Sequence, residues 1–179
     1  AKTLFPYTTL FRSRAPDQTK AAPRPILVGR YVSSEIRIDF REEDAMDTLY
    51  LDDLEQGRTF RTGGITLTEA EIIDFAWRYD PQPFHLDVGE AEKSPYGGLI
   101  ASGFQSLAIC FRLFIQSGVF MQSSLGGPGI DNLRWHAPVR PGDTLRCEVE
   151  VLEVRPSNSK PDRGIARLRY QAMNQRDET

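Results

Sequence analysis

A carboxylate and an imidazole lie five positions apart in this sequence, at Asp80 and His85, in a stretch that reads Asp-Pro-Gln-Pro-Phe-His. Such a pair can bind one water molecule and move a proton between that water and a substrate carbon. The two prolines restrict the backbone, which lowers the cost of holding the pair in one geometry. Taken singly, each residue is typical of an ordinary loop, so the chemistry is predicted only from the two together with their surroundings.

The sequence before Asp80 predicts a helix that ends at the carboxylate. Thr68 and Glu71 have the spacing of a capping box, in which each side chain bonds the backbone of the other residue. Asp80 precedes a proline, which disfavours helical geometry at that residue and ends the helix there. One apolar face is predicted at Ile72, Ile73, Ala76 and Tyr79.

A second helix is predicted within residues 99–117, after a loop rich in proline and glycine at positions 80–98. Ser102 is suited to cap this helix, and Gly103 then falls in its first turn. The segment is apolar on nearly all sides, which is typical of a buried helix.

The remaining segments alternate apolar and polar residues and predict strands. One short strand is expected at 58–62, and others at 130–135, 145–151 and 166–172. Pro141 and Gly142 suit the centre of a type II turn. Short turns between strands favour antiparallel pairing, so the order of elements predicts an α+β fold with a small sheet on one long helix.

Three blocks of this sequence resemble the MaoC-like dehydratase and (R)-specific enoyl-CoA hydratase family. The family's D-x-x-P-x-H motif matches at Asp80, Pro83 and His85, and the segments 96–103 and 135–143 match further along the chain. The resemblance implies a hot-dog fold, in which an antiparallel sheet wraps around a long apolar central helix. It also implies a homodimer that needs no cofactor and adds or removes water across the double bond of a 2-enoyl thioester of coenzyme A or acyl carrier protein.

Roles for individual residues also follow from the resemblance. Asp80 and His85 would be the catalytic pair, and the backbone N–H of Gly103 would lie in an oxyanion hole. Two departures concern this region: Ser102 stands where many members have histidine, and Phe111 stands where some have a serine. Substrate contacts are expected at Pro83, Phe84, Tyr96, Gly98 and Ser102.

Two other functions remain open on the sequence. A hot-dog thioesterase would share the fold and the thioester substrate but would release a free thiol. A non-catalytic subunit that binds acyl thioesters is the third alternative, and the missing helix serine weakly favours it.

Composition excludes several classes of protein. The chain has 179 residues, enough for one domain, and its net charge of −3 gives no general attraction to nucleic acid. No apolar run is long enough to predict a transmembrane helix, and no targeting signal is recognisable, so a cytoplasmic location is expected. Two cysteines and two histidines make a metal site improbable.

The N-terminal segment does not look like part of a domain. Residues 3–13 are identical to the translation of a common sequencing adapter, so we interpret residues 1–45 as a non-native or disordered extension and Met46 as the native start. A short strand is permitted at 30–40. Residues 46–179 are then a single domain, truncated at the C-terminus because family members continue with one more apolar strand. That truncation predicts an unpaired sheet edge.

Overall fold

An antiparallel sheet forms the frame of the protein, which the computed structural model describes over residues 3–14 and 48–177. The strands run in the order β2-β6-β7-β1-β4, with β3 paired to β6 and β5 paired to β1. Their bounds are β1 (Thr3–Arg12), β2 (Thr59–Arg61), β3 (Ile65–Thr66), β4 (Gly129–Ile130), β5 (Arg134–Trp135), β6 (Thr144–Pro156) and β7 (Arg163–Met173).

Four helices accompany the sheet within the described residues. They are α1 (Glu69–Tyr79), α2 (Pro83–Leu86), α3 (Val88–Lys93) and α4 (Gly103–Gln116), and a short 3-10 helix spans Leu51–Asp53. The longest, α4, packs against β6, β7 and β1. The predicted α+β arrangement of one long helix on an antiparallel sheet is therefore confirmed. None of the helices in the described ranges is both long enough and apolar enough to cross a bilayer.

The hairpin of β6 and β7 supplies a large part of the core. Alternate side chains of both strands are buried against the helix, as a strand with one covered face requires. The buried set is Leu145, Cys147, Val149 and Val151 on β6, and Ala166, Leu168, Tyr170 and Ala172 on β7. The opposite face carries ion pairs such as Arg61 with Glu148 and Arg169 with Glu150, so this face of the sheet is polar.

The helix α4 is covered on only one side. Its buried residues are Gln105, Ser106, Cys110 and Phe114, whereas Phe104 and Phe111 on the other side are exposed. The prediction of burial on nearly all sides is therefore wrong, because a single sheet covers only the side of the helix that faces it. The uncovered side borders an apolar groove of about 280 Å³ lined by Tyr7, Phe104, Leu107, Ala108, Phe111 and Ile130.

The strand β1 belongs to the sheet, although the sequence analysis excluded residues 3–13 from the fold. It pairs with β7 from Leu4 opposite Gln171 to Arg12 opposite Arg163. Phe11 is buried, and its ring meets that of Phe120 edge-on at 4.7 Å. β1 therefore occupies the edge of β7, and the unpaired sheet edge expected from a C-terminal truncation stays a prediction.

The other expectations for the N-terminal region are not decided by this pairing. The foreign origin of residues 3–13 and the C-terminal truncation stay predictions. The possible strand at 30–40 and the start at Met46 lie outside the described residues.

Two other segments differ from their sequence predictions. The loop expected at 80–98 contains α2 and α3, because Pro83 suits the first turn of α2 and the Asp87 side chain caps α3. The single strand expected at 130–135 is divided into β4 and β5. Asn132 lies between them with a φ of 49°, which an extended strand cannot accommodate.

Candidate active site

The carboxylate of Asp80 lies at the C-terminal end of α1, and contacts along the helix hold this end in place. The capping box predicted for this helix is confirmed: Glu71 N–H donates to Thr68 Oγ1 (3.2 Å), and Thr68 N–H donates to Glu71 Oε2 (2.8 Å). Asp80 is the C-cap residue of α1, and its N–H donates to the carbonyl of Ala76. Ile72 and Ala76 are fully buried, so the helix end cannot shift without disturbing the core.

His85 is held in one orientation by the segment before α4. Its Nδ1 lies 2.7 Å from the carbonyl oxygen of Ile100, and the N–H of Ile100 donates back to the carbonyl of Phe84 (3.3 Å). A carbonyl only accepts, so Nδ1 must carry a hydrogen. The neutral ring therefore has its lone pair on Nε2, which lies 3.4 Å from Asp80 Oδ2.

Both oxygens of the Asp80 carboxylate accept hydrogen bonds. The hydroxyl of Ser102 donates to Oδ2 (2.6 Å), and the amide of Gln82 donates to Oδ1 (2.8 Å). Partial burial raises the pKa of Asp80, but these two hydrogen bonds, together with the positive charge that His85 carries in its protonated form, outweigh it, and the pKa falls below its usual value of 3.8. Asp80 is therefore ionised at neutral pH.

The pair formed by Asp80 and neutral His85 presents two acceptors to each other. A carboxylate and an imidazole lone pair repel unless a hydrogen lies between them, which requires either a protonated imidazole or a donor such as water. A water molecule can donate one hydrogen to each group and keep its oxygen lone pair for an electrophile. The arrangement is therefore suited to activating water.

Gly103 opens α4 immediately after Ser102, which caps the helix as predicted. The N–H of the first helical residue has no carbonyl partner within its own helix, and the helix dipole favours negative charge there. Gly103 is closely packed, since a Cβ there would lie 2.4 Å from the indole of Trp135 and would force that ring to move. The amide of Gln105 donates to the carbonyl of Glu71 (3.0 Å), which ties this end of α4 to α1.

Aromatic rings lie beside the imidazole. The ring of Phe84 meets that of His85 at 4.5 Å and that of Tyr96 at 5.1 Å. Gly98 has a φ of 145°, and a Cβ there would lie 3.3 Å from the guanidinium of Arg140. That guanidinium donates to the carbonyl of Tyr96 (2.5 Å). Phe84, Tyr96 and Gly98 therefore lie in one region beside His85.

The other residues singled out in the sequence have different surroundings. Pro83 is exposed in the first turn of α2. Ser102 is fully buried, and its hydroxyl hydrogen is already donated to Asp80. Phe111 packs edge-on against Tyr7 at 5.5 Å along the apolar groove.

Sequence reasoning missed two groups and one contact at the site. Gln82 lies inside the motif, so its position between two prolines could have drawn attention to it. The carbonyl of Ile100 belongs to the backbone, so its role cannot be identified from residue types. The packing of Arg140 against Tyr96 depends on tertiary contact between distant segments.

The described residues include no group of three or more His, Cys, Asp or Glu side chains placed to hold a metal ion. Cys110 and Cys147 are free thiols buried between α4 and β6. The pKa of Cys147 is raised by its hydrogen bond with Cys110 and by burial, which makes a reactive thiolate unfavourable.

Comparison with known proteins matches residues 53–170 of this chain to the MaoC like domain. Over 127 residues the chain is 34% identical to the uncharacterised protein YdeM of Bacillus subtilis, covering 71% of this chain and 89% of that one. Over 117 residues it is 30% identical to a 3-hydroxybutyryl-CoA dehydratase of Methylorubrum extorquens, covering 63% of this chain and 69% of that one.

Two solved structures share the fold. The MaoC-like dehydratase from Rhodospirillum rubrum superposes with a TM-score of 0.64 at 41% identity, covering 73% of this chain and 89% of that one. The (R)-hydratase from A. caviae superposes with a TM-score of 0.55 at 29% identity, covering 69% and 88% respectively. The hot-dog fold implied by the sequence resemblance is confirmed.

Proposed function

Because this chain belongs to the MaoC-like domain family, we propose that it is a hydratase/dehydratase of 2-enoyl thioesters that uses Asp80 and His85 as its acid–base pair. The observation that carries the proposal is the orientation of the His85 imidazole ring relative to Asp80. The bond from Nδ1 to the carbonyl of Ile100 leaves Nε2 as an acceptor facing the ionised Asp80. Family members act as hydratases or dehydratases, which supports the same chemistry here.

In the hydration direction, the water held by the pair attacks C3 of the enoyl thioester through its oxygen. One water hydrogen passes to the pair as the new C–O bond forms, and the C2–C3 π electrons move onto the thioester as an enolate. The pair then delivers a proton to C2, which restores its original protonation. One water molecule is consumed, and dehydration is the reverse sequence.

The enolate needs a hydrogen-bond donor for its developing negative charge. We assign this role to the N–H of Gly103, which opens α4 at the positive end of the helix dipole. Ser102 joins the carboxylate to this helix start, since it bonds Asp80 and directly precedes Gly103. Phe84, Tyr96 and Gly98 would then contact the substrate beside the imidazole.

A homodimer fits the apolar surface that the single chain leaves exposed. Phe104 and Trp135 pack against each other near the start of α4, and both are about half exposed. Exposed aromatic side chains grouped in this way are typical of protein interfaces. The oligomeric state is measured by light scattering during gel filtration.

The identity of the thioester carrier and the cytoplasmic location stay predictions.

The test is hydration of crotonyl-CoA by the full chain, followed by loss of enoyl absorbance. We expect Asp80→Asn and His85→Ala each to lower the rate by about 10²–10⁴-fold without unfolding the protein. Two matched controls are Asp74→Asn, an exposed carboxylate in α1, and His136→Ala, the other histidine, which is exposed. Both controls should keep the parent rate, and full activity in either site variant would reject the assigned roles.

The same assay separates the two alternatives. A thioesterase would release free coenzyme A, which a thiol reagent detects. A non-catalytic subunit would bind crotonyl-CoA saturably with neither hydration nor thiol release.

A further inference from the structure

The hydroxyl of Ser102 makes its hydrogen bonds within the protein, one as a donor and one as an acceptor. Ser102 is completely buried, its Oγ donates to Asp80 Oδ2 (2.6 Å), and Oγ accepts from the N–H of Phe104 (3.2 Å). A serine hydroxyl has one hydrogen, and here that hydrogen is given to the carboxylate. The hydroxyl therefore has no hydrogen left to donate to a substrate, and the substrate contact expected at Ser102 stays a prediction.

We infer that Ser102 is a positioning residue that fixes the Asp80 carboxylate against Nε2 of His85. The inference rests on the proposed acid–base function of the pair. Oδ2 is the oxygen that Ser102 holds, and the same oxygen faces Nε2 at 3.4 Å. Holding Oδ2 therefore sets both the separation and the direction of the two groups that share the water molecule.

Ser102 is better placed for this role than the other donor to the carboxylate. Gln82 bonds Oδ1 from an exposed side chain, whereas Ser102 is buried and is held by its place as the cap of α4. The N–H of Ala101 donates to the carbonyl of Val139 (2.8 Å), which fixes the backbone just before Ser102. The direction of Asp80 is thus set by the start of the same helix that presents the Gly103 N–H.

If the Ser102 hydroxyl only stabilised the start of α4, then removing another buried serine hydroxyl nearby should have a similar effect. The helix α4 contains one such serine for comparison. Ser106 lies one turn further on, is also buried, and directs its hydroxyl to the carbonyl of Ser102 (3.4 Å) rather than to Asp80. Ser106→Ala therefore removes a buried serine hydroxyl from the same helix without touching the carboxylate.

The experiment compares Ser102→Ala, Ser102→Gly and Ser106→Ala in the full chain. Glycine serves nearly as well as serine at a helix cap, so Ser102→Gly removes the hydroxyl with little loss of helix stability if the alanine variant folds poorly. Two readouts are made on each: kcat and KM for crotonyl-CoA against pH, and titration of the Asp80 carboxyl carbon by ¹³C NMR. The Asp80 signal is assigned by its absence in Asp80→Asn.

We expect kcat to fall by about 10- to 100-fold in the two Ser102 variants with little change in KM, as for a misplaced catalytic group. Ser102 is one of the groups that lower the pKa of Asp80, so its loss should also move the acidic limb of the kcat profile and the NMR titration to higher pH. Ser106→Ala should match the parent chain in all three readouts. Ser102→Thr, which keeps a hydroxyl, should restore the parent titration.

Two results would overturn the inference. One is an unchanged Asp80 titration in Ser102→Gly, and the other is an equal loss of kcat in Ser102→Gly and Ser106→Ala. If the full chain does not hydrate crotonyl-CoA, the proposed function fails by that measurement alone. The NMR titration of the same variants still decides whether Ser102 controls the carboxylate.

Discussion

Truncation of Phe11 tests whether β1 is part of the folded domain. Phe11 is 1% exposed, and its ring packs on Phe120 at 4.7 Å within the core beneath the sheet. Replacing a buried phenylalanine by alanine removes its transfer free energy and leaves a cavity, which together cost about 3–5 kcal/mol. Domains of this kind have a free energy of unfolding of about 5–15 kcal/mol, so Phe11→Ala should remove a large part of it.

The assay is urea unfolding at equilibrium, followed by far-ultraviolet circular dichroism. Leu10→Ala is the matched control, because Leu10 is the neighbouring residue on the opposite face of β1 and is only half-buried. We expect about 1 kcal/mol or less for this control. Equal small losses in both variants would refute the reasoning and would favour the sequence interpretation that residues 1–45 are a passenger. That interpretation predicts that a chain starting at Met46 is as stable as the full chain.

Three further predictions concern α1, α4 and the carboxylate. Thr68→Ala removes the cap of α1 and should lower the free energy of unfolding by about 1 kcal/mol, measured in urea. Gly103→Ala should cost about 1–3 kcal/mol through overlap with the Trp135 indole, and much of that cost should disappear in the double variant with Trp135→Ala, because the overlapping group is then gone. The pKa of Asp80 is lowered in the folded protein, so its stabilisation is present above the usual value of 3.8 and is lost as pH falls through the lowered pKa. Unfolding at about pH 5 and about pH 3 should therefore show a larger loss in the parent chain than in Asp80→Asn.

Features set by local sequence were predicted well. The capping box at Thr68 and Glu71, the end of α1 at Asp80 and the cap of α4 at Ser102 all involve residues within a few positions of each other. The turn at Pro141 and Gly142 is also present, since the N–H of Asp143 donates to the carbonyl of Arg140 and Gly142 has a φ of 86°. Caps and turns of this kind depend on particular residue types at fixed short spacings, so they can be identified from the sequence.

Three features set by distant contacts were not predicted. Both sides of α4 are apolar, so periodicity could not tell that Cys110 faces the sheet while Phe111 faces the groove. The segment of β1 alternates correctly, with Thr9 and Phe11 inward, but its identity to an adapter removed it from consideration. At the site, the motif identified Asp80 and His85, whereas the carbonyl of Ile100 that orients the imidazole could be found only in three dimensions.

The bond between His85 and Ile100 has a stereochemical consequence. Because Nδ1 is occupied, a proton can enter and leave the ring only through Nε2, on the side that also faces Asp80. In the proposed reaction the hydroxyl and the C2 hydrogen then come from the same side of the planar enoyl group. Addition should be syn, so hydration of crotonyl-CoA in deuterium oxide should give the 2-deuterated diastereomer of syn addition, and formation of the anti diastereomer would contradict this geometry.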